Sequence, residues 1–203
     1  MLTKNLFILV LVSGFLVPVY ASGATDPWIE SYRLEALAQY DSAAKSLEQI
    51  IKEQPRNEFA ILRRGWLGYL RGAHNEAIRD YQRALDINPL SLDARLGLML
   101  PLIAQQRWRE VAAHASQVLE VSPWNYYAHV RLMISEEGEK QWEVLARHAD
   151  KVHQRYPSDV TVLVYLARAN DWMKEHKKAR KAYAQVLERV PGHIEATQYL
   201  SRY

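Results

Sequence analysis

Pro55, Pro89, Pro123, Pro157 and Pro191 stand 34 residues apart, with no insertion or deletion between them. Proline lacks a backbone donor and pushes the residue before it out of helical geometry, so it stops helices. Two residues past each proline stands Asn57, Ser91, Asn125, Asp159 or His193. The first four are preferred N-caps, whose side chains accept a hydrogen bond from the first turn of the next helix. Each stretch is a stop signal and a start signal together. A fixed period constrains the fold more than local propensity does, because it makes the chain an array of similar units. With the proline at position 32, the units run 24–57, 58–91, 92–125, 126–159 and 160–193, and Ile194–Tyr203 is left over.

Apolar residues recur inside each unit at helical spacing. Position 20 holds Ala43, Ala77, Val111, Leu145 and Ala179; position 27 holds Ile50, Ala84, Val118, Val152 and Val186. Short breaks such as RGAHN (Arg71–Asn75) interrupt positions 15–18. Each unit is therefore expected to be two helices joined by a tight turn, able to bury its apolar faces only against its neighbours. Asp26 as N-cap and Pro27 as first helical residue mark where order begins. Hydrophobic residues at 49% and charged residues at 24% suit a packed chain rather than a disordered one. The chain has no cysteine, which excludes a disulfide scaffold, a zinc–thiolate site and a lipid-bearing N-terminal cysteine. No strand pattern and no phosphate loop is present.

On these residues the sequence resembles the tetratricopeptide repeat family, whose 34-residue unit carries the pattern W-x2-L-G-x2-Y, then A-x3-F, then P. The second unit matches best, with Gly65, Ala77, Tyr81, Ala84 and Pro89; the fifth matches with Leu166, Ala167, Ala179, Tyr183 and Pro191. The resemblance covers residue 24 to the C-terminus. It implies an all-α, right-handed solenoid of five helix-turn-helix repeats, closed by a short C-terminal helix over 194–203. Units three and four depart from the pattern. Position 8 is Met99 and Met133, position 20 of unit four is Leu145, and position 11 there is Glu136. Looser packing is expected in those units, with Gly138 ending its helix early. The stub over 194–203 is short for a solvating cap, which leaves that edge partly open.

The resemblance also implies a groove lined by the first helix of each unit, at positions 2, 5, 9, 12 and 13. Carried over, these give Trp28 and Tyr32 in unit one, and Phe59, Leu62, Trp66 and Tyr69 in unit two. Tyr127 follows in unit four, and Arg168 and Trp172 in unit five. Some family members grip a C-terminal carboxylate with a Lys/Asn/Arg clamp. Position 5 here is Trp28, Leu62, Leu96, Val130 and Val164, so a clamp of that kind is not expected. The stripe is apolar and aromatic, suited to an amphipathic helix or an extended apolar peptide, with Trp66 and Tyr69 as its foremost anchors. The same residues in repeat helices also serve as plain core, or take a second copy of the chain.

Other features carry less. The formal charge is +3, and acidic and basic residues alternate as on solvated helix faces. KEHKKARK (Lys174–Lys181) reads as a solvated edge. The seven histidines show no metal spacing; His148 and His153, five apart, do not share a helical face well. No metal, cofactor, nucleic-acid partner or catalytic machinery is expected. Lys4, the apolar run Leu6–Tyr20 and the small residues Ala21–Ala24 form the layout of a secretory signal peptide over 1–24, with an uncleaved anchor as the alternative. The expectation is an exported, periplasmic, non-catalytic scaffold or adaptor for another envelope protein. The alternatives are a self-assembling oligomer or a binding subunit for envelope glycans.

Overall fold

All five prolines act as helix stops. The computed structural model describes residues 26–202; the proposed signal segment and Tyr203 lie outside the described residues. Gln54, Asn88, Ser122, Tyr156 and Val190, each just before a proline, close their helices with ψ between 67° and 91°. The next helix starts on a polar cap. Asn57, Ser91, Asn125 and Asp159 accept from the N–H three residues on, at 2.9 to 3.2 Å. His193 caps in the same way, its Nδ1 accepting from Ala196 at 3.3 Å.

Twelve helices result among the described residues. Unit one holds α1 (Pro27–Ala36), α2 (Tyr40–Lys45) and α3 (Glu48–Glu53). Unit two holds α4 (Glu58–Leu70) and α5 (His74–Ile87), and unit three α6 (Leu92–Ala104) and α7 (Trp108–Val121). Unit four holds α8 (Tyr126–Gly138) and α9 (Trp142–Arg155), unit five α10 (Val160–Trp172) and α11 (His176–Arg189). The closing helix is α12 (Ile194–Arg202). The architecture is the all-α solenoid of helix pairs. Unit one departs from the expected pair: its second helix is broken at Ser46, whose hydroxyl donates to the Ala43 carbonyl at 2.8 Å. Such a bond competes with the helical ladder. The break shifts the register by one, so Ile51 is buried where Ile50 was expected.

The tight turn within each unit has one geometry. Ala38, Gly72, Gln106, Lys140 and Lys174 all have positive φ, between 56° and 80°. The N–H of the next residue donates five residues back, for example Ala73 to Gly68 at 2.9 Å and Gln141 to Glu136 at 2.8 Å. This is the left-handed helix end that glycine favours. Only Gly72 supplies glycine, and each other side chain there costs about 1 kcal/mol.

Small residues let the paired helices meet. Ala43, Ala77, Val111, Leu145 and Ala179 are all fully buried. The looser packing expected of units three and four is seen between their paired helices: α6 on α7, and still more α8 on α9, pack less closely than α4 on α5 or α10 on α11, although Met99, Met133 and Leu145 are themselves fully buried. Gly138 does not end its helix early. α8 has 13 residues, like α4, α6 and α10. The glycine instead makes room, since a Cβ there would lie 2.5 Å from the Trp108 ring. At the C-terminal edge α12 packs on α11, with the Tyr183 and Tyr199 rings 4.6 Å apart.

Candidate partner-binding face

The first helices lie side by side, α4 against α6, α6 against α8 and α8 against α10. α1 joins this layer through Arg63, whose Nε donates to Ser31 Oγ at 2.9 Å and whose Nη1 pairs with Glu35 at 2.8 Å. Among the described residues, positions 2, 5, 9, 12 and 13 of these helices are exposed or half-buried, apart from the buried Val164. Capped starts and identical turns hold successive first helices in the same rotation, so equal positions project alike.

Four of the nine expected residues are well exposed: Tyr32 at 50%, Phe59 at 55%, Tyr127 at 62% and Trp172 at 60%. Trp28, Leu62, Trp66 and Tyr69 are half-buried and pack against the core. Trp66 also donates its ring N–H to Glu35 at 2.7 Å. Trp66 and Tyr69, the foremost anchors on sequence grounds, therefore carry structural contacts, and the exposed area comes from other aromatics. These are supported from below. Trp28 lies 5.1 Å from Phe59, and Trp172 stacks flat on Trp142 at 5.0 Å with a 4° interplanar angle. Rings held this way lose little rotamer freedom on contact.

Charge is distributed unevenly on the face. At one end the Tyr32 ring covers the Arg63 guanidinium at 3.4 Å, a cation–π contact. Arg63 Nη2 is buried there with no hydrogen-bond partner. At the other end Arg168 donates to both oxygens of Glu195 at 2.7 and 2.8 Å and reaches Glu137 at 3.3 Å. This hydrogen-bonded pair holds the Glu195 carboxyl below its usual range, and the Tyr183 hydroxyl adds a bond at 2.6 Å. Arg168 is thus engaged in the chain's own ion pairs. In the middle, Arg131 donates to the Leu96 carbonyl at 2.5 Å and faces Tyr127, and its burial lowers its pKa.

One polar cluster lay beyond the sequence reading. His148 Nδ1 faces both Glu136 oxygens at 2.9 and 3.0 Å, and its Nε2 lies 2.9 Å from His129 Nδ1. His129 Nε2 lies 3.0 Å from the Pro123 carbonyl. The three side chains stand on two helices at unequal spacings, so no motif announces them; an acid at an apolar position was the only signal. His153, which its spacing from His148 sets on a different face, is not in the cluster. Among the described residues no group of three or more His, Asp or Glu is disposed to hold a metal ion. No helix among them is long and apolar enough to cross a membrane. In the basic run, Lys174 occupies a turn, His176 pairs with Asp171 at 3.1 Å and Lys178 with Glu175 at 3.5 Å.

Residues 161–193 match the tetratricopeptide repeat family model. Solved structures extend the likeness to most of the chain. MamA from Desulfovibrio magneticus RS-1 superposes with a TM-score of 0.75 at 16% identity, covering 84% of this chain and 98% of that one. YrrB, described as a tetratricopeptide repeat protein with an unusual peptide-binding site, superposes with a TM-score of 0.73 at 12% identity. It covers 88% of this chain and 92% of that one. At such identities the likeness establishes the fold. No curated protein matches the sequence.

Proposed function

We propose that the chain, which has the tetratricopeptide repeat fold and matches that family's model over 161–193, is a non-catalytic protein–protein interaction scaffold that binds an apolar peptide or amphipathic helix on the face of its first helices. The observation that carries this is the row of exposed aromatics, Tyr32, Phe59, Tyr127 and Trp172, on helices whose other sides are packed. Large rings left in water on four of the five first helices, each backed by a neighbouring ring or cation, suit the anchors of an interface. The peptide-binding site named for YrrB, a protein of the same fold, agrees with such a use. The arginines of the face are engaged within the chain, Arg63 with Glu35, Arg131 with the Leu96 carbonyl and Arg168 with Glu195 and Glu137, which favours an apolar segment over an acidic one. From Lys4 and the apolar run after it, we place the protein on the exported side of a membrane, serving another envelope protein.

The test is cross-linking in the native envelope, read by mass spectrometry. It compares the wild type with a Tyr32→Ala/Phe59→Ala/Tyr127→Ala variant whose helical signal is intact. These exposed positions are chosen because Trp66 and Tyr69 support the fold. A partner captured by the wild type and lost by the variant supports the reading. Capture that the variant leaves unchanged moves the interface off this face. Mass from light scattering separates an adaptor from a self-assembling oligomer, and a glycan array tests carbohydrate stacking on the same rings.

A further inference from the structure

The cluster under α8 has a fixed proton requirement. The Pro123 carbonyl can only accept, so His129 Nε2 must carry a proton. The Glu136 carboxylate can only accept, so His148 Nδ1 must carry one. Between the rings, His129 Nδ1 and His148 Nε2 at 2.9 Å must share a single proton. The complete set of bonds therefore holds three protons, one more than two neutral rings and a carboxylate supply. The count is unchanged if Glu136 takes the extra proton and donates it to His148. Removing a proton leaves either two lone pairs facing each other or the Pro123 carbonyl without its donor. Adding a fourth sets N–H against N–H or discharges Glu136.

The surroundings make this count matter. His129 is 4% exposed and Glu136 6%, so a broken bond here leaves a buried polar group unsatisfied. The bonds tie together three separate pieces: the turn before α8, α8 itself and α9. α4 and α5 are also joined by a polar contact, Arg64 to Asp80 at 2.8 Å, but α8 packs less closely on α9 than α4 does on α5 or α10 on α11, so the cluster carries more of the joint here. The charges facing the cluster are Glu136 on α8 and, on α9, Lys151 and Arg155, both of which lie over the Trp124 ring beside His129. α7 contributes the Trp108 carbonyl, bonded to Ser135, and Arg131 turns away to the Leu96 carbonyl on α6.

We propose that Glu136, His148 and His129 form a one-proton clasp that seats α8 firmly only within a window of pH. Burial and the positive charges of His148 and Lys151 push the His129 pKa down, which keeps a fourth proton off the cluster. The Glu136 oxygens stand opposite His148 Nδ1 at 2.9 and 3.0 Å, the acceptor that the third N–H requires. The consequence for partner binding rests on the groove reading: Tyr127 and Arg131 flank His129 on α8 and move with that helix.

The experiment uses the intact protein labelled with 15N-histidine, with ring-nitrogen correlations and α8 amide hydrogen exchange followed across the ordinary histidine range, about pH 6.5. Exchange rates are corrected for their intrinsic pH dependence. The wild type should hold three cluster protons as a plateau about two pH units wide. α8 exchange should be slowest on that plateau and about tenfold faster on either side. His148→Gln should remove the pH dependence. If that variant unfolds, Glu136→Gln, which keeps the shape, should shorten the plateau from its alkaline end. Both rings passing together from neutral to fully protonated, or α8 exchange that ignores the plateau, would overturn the clasp. No groove ligand enters these readouts, so failure of the binding-face reading leaves them standing. A Tyr127 ring signal that does not change as pH leaves the plateau on either side would overturn only the link to the groove.

Discussion

Gly97→Ala should destabilise the protein although it improves a helix. Gly97 lies within α6, where alanine is preferred over glycine by about 1 kcal/mol. Its missing side chain is occupied by Tyr81. A Cβ at position 97 would lie 2.2, 2.6 and 2.8 Å from Tyr81 Cε1, Cζ and Cδ1. The ring cannot retreat, because it is 3% exposed and Gly65 of α4 covers its other edge, with Cε2 3.3 Å from where that Cβ would stand. Forcing a methyl into a packed site costs about 1–3 kcal/mol and here opposes the helical gain. With the ring unable to move, the cost falls at the upper end, about 2–3 kcal/mol, so the net loss after the helical gain should be about 1–2 kcal/mol, or several degrees in Tm at this chain length. Thermal melts followed by circular dichroism would measure it. Gly65→Ala, with ordinary to tight contacts, should cost clearly less. Tyr81→Leu in the Gly97→Ala background should recover part of the loss as a coupling energy of about 1 kcal/mol. A neutral or stabilising Gly97→Ala, or purely additive effects, would refute the picture of a ring held between two glycines.

Lys140→Gly should stabilise the fold by about 1 kcal/mol in denaturant titration, since the lysine holds a φ of 58° that costs glycine nothing. Asn125→Ala should lose about 1 kcal/mol, because its side chain accepts the Ala128 N–H at the start of α8. His114 has its pKa lowered by burial and then by Arg95, so the unfolded chain takes its proton first. Its contribution is therefore present above about pH 6.5 and lost as pH falls below it; His114→Gln should flatten the acid limb of a stability-versus-pH curve.

What the sequence makes legible follows from how contacts repeat. Asn57, Ser91, Asn125 and Asp159 cap because each bond closes within three residues of its own helix, and spacing alone exposes it. Pro55 and its successors work the same way. Gly138 misled because a glycine near a helix end has two physical uses. Reading it as a terminator ignored the residue thirty places earlier, Trp108, that needs the space. Trp66 shows the same limit: it lines the open concavity beside Tyr32 and Leu70, as its position implies, but Glu35 of the preceding unit also takes its ring N–H, a contact that spacing within a unit does not show. The Glu136–His148–His129 cluster was invisible because its bonds follow no period.

The common cause is that contacts between units are filled in pairs, and only one member of each pair is visible from within a unit. Position 17 of one unit meets position 13 of the next. Where the first is Trp108 the second is Gly138, and the ring lies against bare backbone; where the first is Trp142 the second is Trp172, and the two rings stack. The same two positions thus solve one packing problem in opposite ways. Exchanging the second members should show it. Gly138→Trp places a second ring where Trp108 has none to stack on, and Trp172→Gly strips Trp142 of its cover. Each alone should cost more than about 2 kcal/mol if the unit boundary is rigid. If instead the boundaries flex to accept either filling, both changes would be mild, and the regular register of the first helices would have to come from the caps and turns alone.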